Sequence, residues 1–499
     1  MPRISLRLAI IILLLASWLT VPRVKHAQTQ AQSPLPIYLI VAPDSFADEL
    51  AGFMESQQTR GFDVQSVWLV QPYDRDTIKS DILAQTPRPK YVFLVGDSDL
   101  IPTWPVTLAS NEETQTDLYY TTFDGPEDIV PNTILGRLPV HTESELTAYL
   151  AKLAEYYQID WYPEWMKKIS FVATNDLAFG DDVEASFERI IESYTDPNDY
   201  TGTFTGHEGS TASTVGGDRL FPESYQADTE DVLTALDDGR VAMFFNGRAK
   251  ATSFEWRSGP WLSTSQVNNL ASPPVPLVAA FAPNTADFSV GASMADAWIL
   301  NPESGALTYI GATAETGVIR DSLLMEEVIG GLFSNYAVPL SIGEAFQVGL
   351  YSVYDADKVQ EYFITYQLFG DPSLTIRFPE GALLTAPFSH FIAPWGGTIT
   401  LPVTIKNVGP TEATFSIKID AGYPYPTLPV PNPFNITLPP GGEAKLLIVI
   451  DVLGLPVMTS DTINITASYT KTLDEIITTK LAVTFQVFKP SLFLPIINR

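Results

Sequence analysis

Two short, uninterrupted apolar runs stand close together near the middle of the chain: Val241-Ala242-Met243-Phe244-Phe245 and Pro276-Leu277-Val278-Ala279-Ala280-Phe281. A run that is apolar at every position has no side to show to water, so both are expected to be parallel strands covered on two faces. Each run spills into a small polar loop, Asn246-Gly247-Arg248-Ala249 and Ala282-Pro283-Asn284-Thr285-Ala286-Asp287-Phe288. Side by side at the carboxyl ends of parallel strands, those loops occupy the place where open α/β sheets build their sites.

The flanking sequence continues the alternation. Apolar runs at 37–41, 64–70 and 91–95 are separated by helix-patterned stretches at 46–60 and 77–85, and Leu146, Leu150, Leu153 and Tyr157 line one face of a helix over 144–158. Trp161-Tyr162-Pro163 breaks that helix, which sets a first α/β unit at 35–165. A second unit, 166–378, opens with a strand at 169–173 and helices at 183–194 and 228–236. After the central segment it continues with a helix at 294–300, a strand at 306–312, and helices at 323–333 and 342–352. Such alternation implies mainly parallel sheets with helices on their faces. Beyond 384 the helical pattern vanishes. Residues 398–406, 412–420, 444–452, 462–469 and 480–487 alternate between β-branched and polar residues, five strands at the spacing of an all-β sandwich over 384–487.

Both termini have their own character. Arg3 and Arg7 precede an apolar run at 8–21 and small residues near Ala27 and Ala31, so residues 1–31 are expected to be an export signal; the run is too short for a comfortable membrane span. An uncleaved anchor is the alternative. The tail at 488–499 is apolar over 492–497 and is expected to be a loose final strand.

With 499 residues the chain needs several cores, and 45% hydrophobic content supplies them. A net charge of −29 excludes nucleic acid as a partner, because nothing would neutralise the phosphates. Cysteine is absent throughout, which removes disulfides, thiolate metal sites and sulfur nucleophiles together. The four histidines, His26, His141, His207 and His390, form no metal-ligand spacing. Oxygen-rich clusters at Asp181, Asp182 and Glu184 and at Asp196, Asn198 and Asp199 have the character of calcium loops, although helix capping explains Asp181 and Asp182 as well. No cofactor motif occurs.

Several short motifs carry a resemblance. Val95-Gly96-Asp97 with Ile101-Pro102, Thr116-Asp117-x-Tyr119-Tyr120, Leu135-Gly136-Arg137-Leu138-Pro139 and Gly370-Asp371-Pro372-Ser373-Leu374 stand in an order that resembles the gingipain family of cysteine peptidases, from about 36 to 376. The resemblance implies caspase-like α/β units, with an immunoglobulin-like sandwich after them as in some members. That family carries Gly-His-Gly after the first central strand, then a tryptophan, then a Cys-Leu-Thr-Gly-Asp-Phe type motif after the second. Trp256, Thr285, Asp287 and Phe288 fit, but the histidine falls on Gly247 and the cysteine on Pro283. The amide chemistry of such enzymes needs a thiolate beside an imidazole, and neither is present.

The resemblance therefore implies a degenerate member. Asn246, Arg248, Trp256, Asn284, Thr285 and Asp287 are candidates to line the old cleft, and calcium is a candidate ligand because family members often bind it. For Asp117 and Arg137 a structural role is expected. The reading that follows is an exported pseudo-peptidase, secreted or at the cell surface, binding peptide, protein or cell-surface polymer. Two alternatives stay open: an active endopeptidase using Ser253, Ser258 or Thr285, and a purely structural surface module.

Overall fold

The computed structural model of the chain describes residues 35–488, except 72, 126–127, 159–163, 176–179, 196–203, 208–211, 213, 256–261, 334–338, 358–359, 378–380, 388–389, 408, 410–411, 423–431, 454 and 471–475. The export signal, the helix break at Trp161, Trp256, Ser258, the group Asp196, Asn198 and Asp199, and the tail beyond Phe488 thus lie outside the described residues.

Ten strands form one sheet: β1 (Ile37–Pro43), β2 (Asp63–Leu69), β3 (Tyr91–Val95), β4 (Ile134–Leu138), β5 (Ile169–Ala173), β6 (Asp218–Leu220), β7 (Ala242–Asn246), β8 (Val275–Phe281), β9 (Ala306–Ala312) and β10 (Tyr366–Gly370). Their order is β2-β1-β3-β4-β10-β9-β8-β7-β5-β6. Every neighbouring pair is parallel except β9 with β10, where Thr308 faces Gly370 and Ala312 faces Tyr366. The sequence suggests a sheet in each of two α/β units; the structure joins them into one. The join is β10, which closes the second unit yet pairs with β4 of the first, Phe369 opposite Arg137. Local patterning cannot encode so distant a pairing.

The apolar runs are explained by cover on both faces. Along β1, Tyr38, Ile40 and Ala42 enter one buried layer while Leu39 and Val41 enter another. Helix α1 (Ala47–Thr59) presses Leu50 and Phe53 onto the first layer, and α2 (Arg75–Leu83) presses Ile78 and Ile82 onto the second. The first layer continues through Phe171, Phe244, Val278 and Ile310, without interruption between the two halves of the sheet. Helix α3 (Glu143–Gln158) buries Leu146, Tyr149 and Leu153 against the same layer.

Asp371 in the closing motif locks this assembly. Fully buried, its carboxylate accepts from Tyr38 Oη at 2.7 Å, Gln57 Nε2 at 2.8 Å and Tyr157 Oη at 2.7 Å, with the Arg60 guanidinium 3.6 Å away. One carboxylate thereby ties the last strand of the sheet to β1, α1 and α3.

The C-terminal part holds two further sheets. Their strands are β11 (Ala382–Thr385), β12 (His390–Pro394), β13 (Thr398–Asn407), β14 (Ala413–Asp420), β15 (Phe434–Leu438), β16 (Glu443–Asp451), β17 (Ser460–Thr470) and β18 (Ile476–Phe488), ordered β11-β13-β16 and β12-β18-β17-β14-β15. All pairings are antiparallel except β12 with β18. Inward residues such as Leu401, Val403, Phe415, Ile417, Ile465 and Phe485 share one core. Three strands exceed the five read from sequence, β11, β12 and β15. Each has only four or five residues, too few for alternation to register. Among the described residues no helix is long and apolar enough to cross a membrane.

Candidate functional site

Strands β7 and β8 are parallel neighbours with Asn246 opposite Phe281, so the loops after them leave the same edge of the sheet. Both strands are buried along their whole length. The two loops anticipated from the apolar runs therefore lie beside each other at the carboxyl ends of their strands.

Gly247 directly follows β7 and is itself buried. A Cβ placed there would overlap the Cβ of Thr174, with Thr174 Cγ2 at 3.0 Å and Oγ1 at 3.1 Å. Thr174 cannot easily withdraw, because it too is buried and its N–H donates to the Asn246 carbonyl at 3.1 Å. Nothing with a side chain fits at 247 unless the end of β5 moves.

Pro283 opens the second loop and has no N–H to offer. Asn284 follows at φ 62, a left-handed conformation that asparagine tolerates better than most residues. Its N–H donates to the Ala314 carbonyl at 3.1 Å and its Nδ2 to Glu315 Oε1 at 2.7 Å. Ala286 N–H donates to the Ala312 carbonyl at 2.9 Å, and Asp287 N–H to the Asn284 carbonyl at 3.3 Å. Position 283 thus has no amide to offer an oxyanion, and those of Asn284, Ala286 and Asp287 are engaged.

Two of the expected cleft residues do not face solvent. Asn246 is fully buried, its Nδ2 donating to Ser322 Oγ at 2.9 Å on the helix Val318–Phe333, and Thr285 is fully buried beside Gly311 and Tyr309. Asn246 is the last residue of β7, and Thr285 lies in the loop past Phe281, the last residue of β8. Arg248 is exposed, and Asn284 and Asp287 are half-buried. As a nucleophile Thr285 is out of reach of solvent. Ser253 is 8% exposed on a short strand, Ser253–Glu255, that pairs with Ser263 and Leu262. No hydroxyl among the described residues is hydrogen-bonded to His141 or His207.

Of the acids proposed for calcium, Asp182 and Glu184 have described side chains. Glu184 lies on α4 (Gly180–Ile190), and its carboxylate accepts from the N–H groups of Glu223 at 2.8 Å and Ser224 at 3.1 Å and from the Ser224 hydroxyl. Its oxygens cap the helical turn Pro222–Tyr225 and are not free for a cation. Asp182 is exposed on the same helix. Among the described residues no three acids, histidines or cysteines gather as a metal site would need. His207 belongs to an ion network before β5 and β7: its Nδ1 is 3.2 Å from Asp238, which also holds Lys168 Nζ at 2.6 Å.

Two cavities differ in place and lining. One of about 350 Å³ opens beside the second loop and is lined by Asp97, His141, Asp287, Phe288, Ser293 and Asp296. Burial raises the Asp296 pKa; the Ser293 hydrogen bonds oppose this, and nearby Asp97 raises it further. His141 Nδ1 lies 3.5 Å from Asp97 Oδ2. Nothing in the sequence beyond its place after a strand marked His141. The other cavity, about 440 Å³ and mostly apolar, lies away from both loops, among Leu118, Ile134, Phe346, Leu350 and Phe363.

Four of the sequence motifs meet at one arginine. Arg137 on β4 is 1% exposed, donates from Nε and Nη2 to the two Asp117 oxygens at 2.6 Å each, from Nη1 to the Gly96 carbonyl at 2.7 Å and from Nη2 to the Ile101 carbonyl at 3.0 Å. Its guanidinium also sits 5.6 Å from the Phe288 ring centre, and Phe288 packs 5.7 Å from Phe369. The pair is a buried strap holding the loop after β8 against the first half of the sheet, in agreement with the structural role expected for Asp117 and Arg137. The family model of Peptidase family C25 matches residues 32–377.

The chain belongs to peptidase family C25. Solved structures similar to this C25 chain agree on the fold. One titled as the structure of a protease is 17% identical with a TM-score of 0.57, covering 91% of this chain and 98% of its own. The Arg-specific cysteine proteinase gingipain R is 15% identical with a TM-score of 0.52, covering 92% and 99%. A complex of Porphyromonas gingivalis RgpB pro- and mature domains gives 15%, 0.52, 90% and 99%. No curated protein matches the chain. At these identities the likeness concerns the fold, here a mostly parallel, gingipain-like α/β sheet with further β-sheets after it. This C25 homologue has no cysteine, so cysteine-type catalysis is closed to it.

Proposed function

We propose that this C25 homologue is an exported, catalytically silent protein that retains the family's strand-end loops to bind peptide, protein or cell-surface polymer. The observation that carries the reading is steric: the position matching the family's histidine is a glycine that has no room for a side chain, and the position matching its cysteine is a proline. Loss of one group could be a chance substitution. The lack of space for it beside Thr174 supports a site no longer held for chemistry. Export rests on the signal-like residues 1–31, and the sheets after 382 are read as an immunoglobulin-like sandwich following two C25-type subdomains, 35–165 and 166–378.

Binding at the loops is supported by what stays accessible there, Arg248, Asn284 and Asp287 with the cavity next to Phe288. The test is affinity capture from a peptide library and from cell-wall polymer by the full chain and by an Arg248→Ala/Asp287→Asn variant. Capture that weakens in the variant supports the reading. An unchanged ligand list would remove the loops from consideration.

A further inference from the structure

Across the middle of the large sheet, β10 pairs with β4 at a single position, Phe369 with Arg137. On its other side β4 goes on pairing with β3 down to Ile134, and β10 goes on pairing with β9 down to Tyr366. Both strands thus keep their form while parting from each other. Ile134 N–H donates to the Lys90 carbonyl at 3.1 Å and the Leu138 carbonyl takes the Gly96 N–H at 2.9 Å, so these residues turn their backbone groups toward β3. Alternation then turns those of Leu135 and Arg137 toward β10. Arg137 meets Phe369 there, and Leu135 has no counterpart in the register. A strand edge that stops bonding to its neighbour leaves N–H and C=O groups for some other partner.

The apolar cavity of about 440 Å³ occupies this wedge. Ile134 and Leu135 line it from β4, Gln367 and Leu368 from β10, and Phe346 and Leu350 from the helix Ile342–Asp357. Its size falls within the usual range of small-molecule sites, roughly 300–1,000 Å³. None of the side chains lining it is charged, in a chain with 58 acidic and 29 basic residues. An ion entering it would lose its water and meet no counter-charge, so the cavity selects neutral molecules. Polar groups in the wall are few and mostly engaged. The Thr121 hydroxyl donates to the Leu118 carbonyl at 2.8 Å, the Thr133 hydroxyl to the Pro89 carbonyl at 2.7 Å, and the Tyr366 hydroxyl to Asp321 at 2.7 Å. A threonine hydroxyl that donates can still accept, which leaves this wall able to satisfy one polar group of a ligand. We propose that the wedge between β4 and β10 is a binding site for one uncharged, mostly apolar molecule the size of two fused rings and bearing a single hydroxyl. It is separate from the loops after β7 and β8, and so from the binding proposed for them.

The test uses the full chain and naphthol, with naphthoate as a probe of the same shape that carries a charge. Calorimetric titration is expected to show one saturable site for naphthol and binding weaker by about tenfold or more for naphthoate. Gln347 is half-buried at the cavity, and Gln347→Phe adds bulk there without touching the buried strands. That variant, shown by thermal unfolding to be folded, is expected to lose naphthol affinity by about tenfold or more. A measurement on the unaltered chain stands beside it: para-azidophenol is irradiated with the protein, and the label is expected on peptides holding residues 118–135 or 346–368 and to vanish when naphthol is in excess. Absence of saturable naphthol binding overturns the proposal, as does equal affinity for naphthoate. Labelling confined to other peptides overturns it too, and so does undiminished binding by the folded Gln347→Phe protein.

Discussion

Substituting Gly247 by alanine tests the steric closure directly. The added methyl would collide first with the Thr174 Cβ and then with its Cγ2 and Oγ1. Overfilling a packed position of this kind typically costs about 1–3 kcal/mol. The identity of the nearest atom sharpens the prediction, because every residue but glycine carries a Cβ. Thr174→Ala should therefore fail to relieve Gly247→Ala, whereas Thr174→Gly should recover most of the loss. Urea unfolding of the four single and double variants, arranged as a cycle, measures the coupling. A Gly247→Ala protein as stable as the parent would refute the closure, and so would full rescue by Thr174→Ala. The same geometry predicts that Gly247→His with Pro283→Cys gains at most slight peptidase activity. Robust cleavage by that variant would show that the site had remained assembled.

Asp321, on the helix Val318–Phe333, is fully buried and accepts from Tyr362 Oη, Tyr366 Oη and Thr316 Oγ1 at 2.7 Å each; burial pushes its pKa from 3.8 up to about 6. A raised carboxyl favours the fold while protonated, so its contribution is complete below pH 3.8 and is lost as pH rises through about 6. At ~1.4 kcal/mol per pKa unit that is ~3 kcal/mol, and Asp321→Asn should flatten the melting temperature across this window; an unaltered slope would contradict the assignment. Asp117→Asn should cost about 3–5 kcal/mol by leaving the buried Arg137 charge half-paired, and a loss under ~1 kcal/mol in thermal unfolding would rule out the strap. Thr285→Val should change stability by less than about 1 kcal/mol and leave any ligand capture intact, because the hydroxyl is sealed from solvent. Weakened capture would place Thr285 in the binding surface after all.

Much of the α/β core was legible because its information is local. The apolar runs at 241–245 and 276–281 became β7 and β8, the first and third strands fell within a residue or two of their readings, and 169–173 and 306–312 matched β5 and β9. What escaped was decided by distant partners. The insertion of β10 between β4 and β9 depends on pairing Phe369 with Arg137, and residues 361–365 before it are a helical turn. Glu184 looked like a cation ligand because its sequence neighbours are acidic, but the N–H groups it satisfies come from residues 223 and 224. Asn246 and Thr285 looked accessible because they are polar and stand at or after strand ends, yet both are fully buried, Asn246 against Ser322 of the helix Val318–Phe333 and Thr285 beside Tyr309 of β9. The crowding of Gly247 by Thr174 was not legible, because nothing near 174 refers to 247.

On the proposed function, the C25 fold persists here without its catalysis. The most direct measurement is hydrolysis of casein and of a mixed fluorogenic peptide library by the purified full chain, with and without iodoacetamide. No turnover above a heat-treated blank is expected under either condition. Turnover that exceeds the blank and co-purifies with the folded protein would contradict it, and insensitivity of that turnover to the thiol reagent would send the search to a hydroxyl nucleophile.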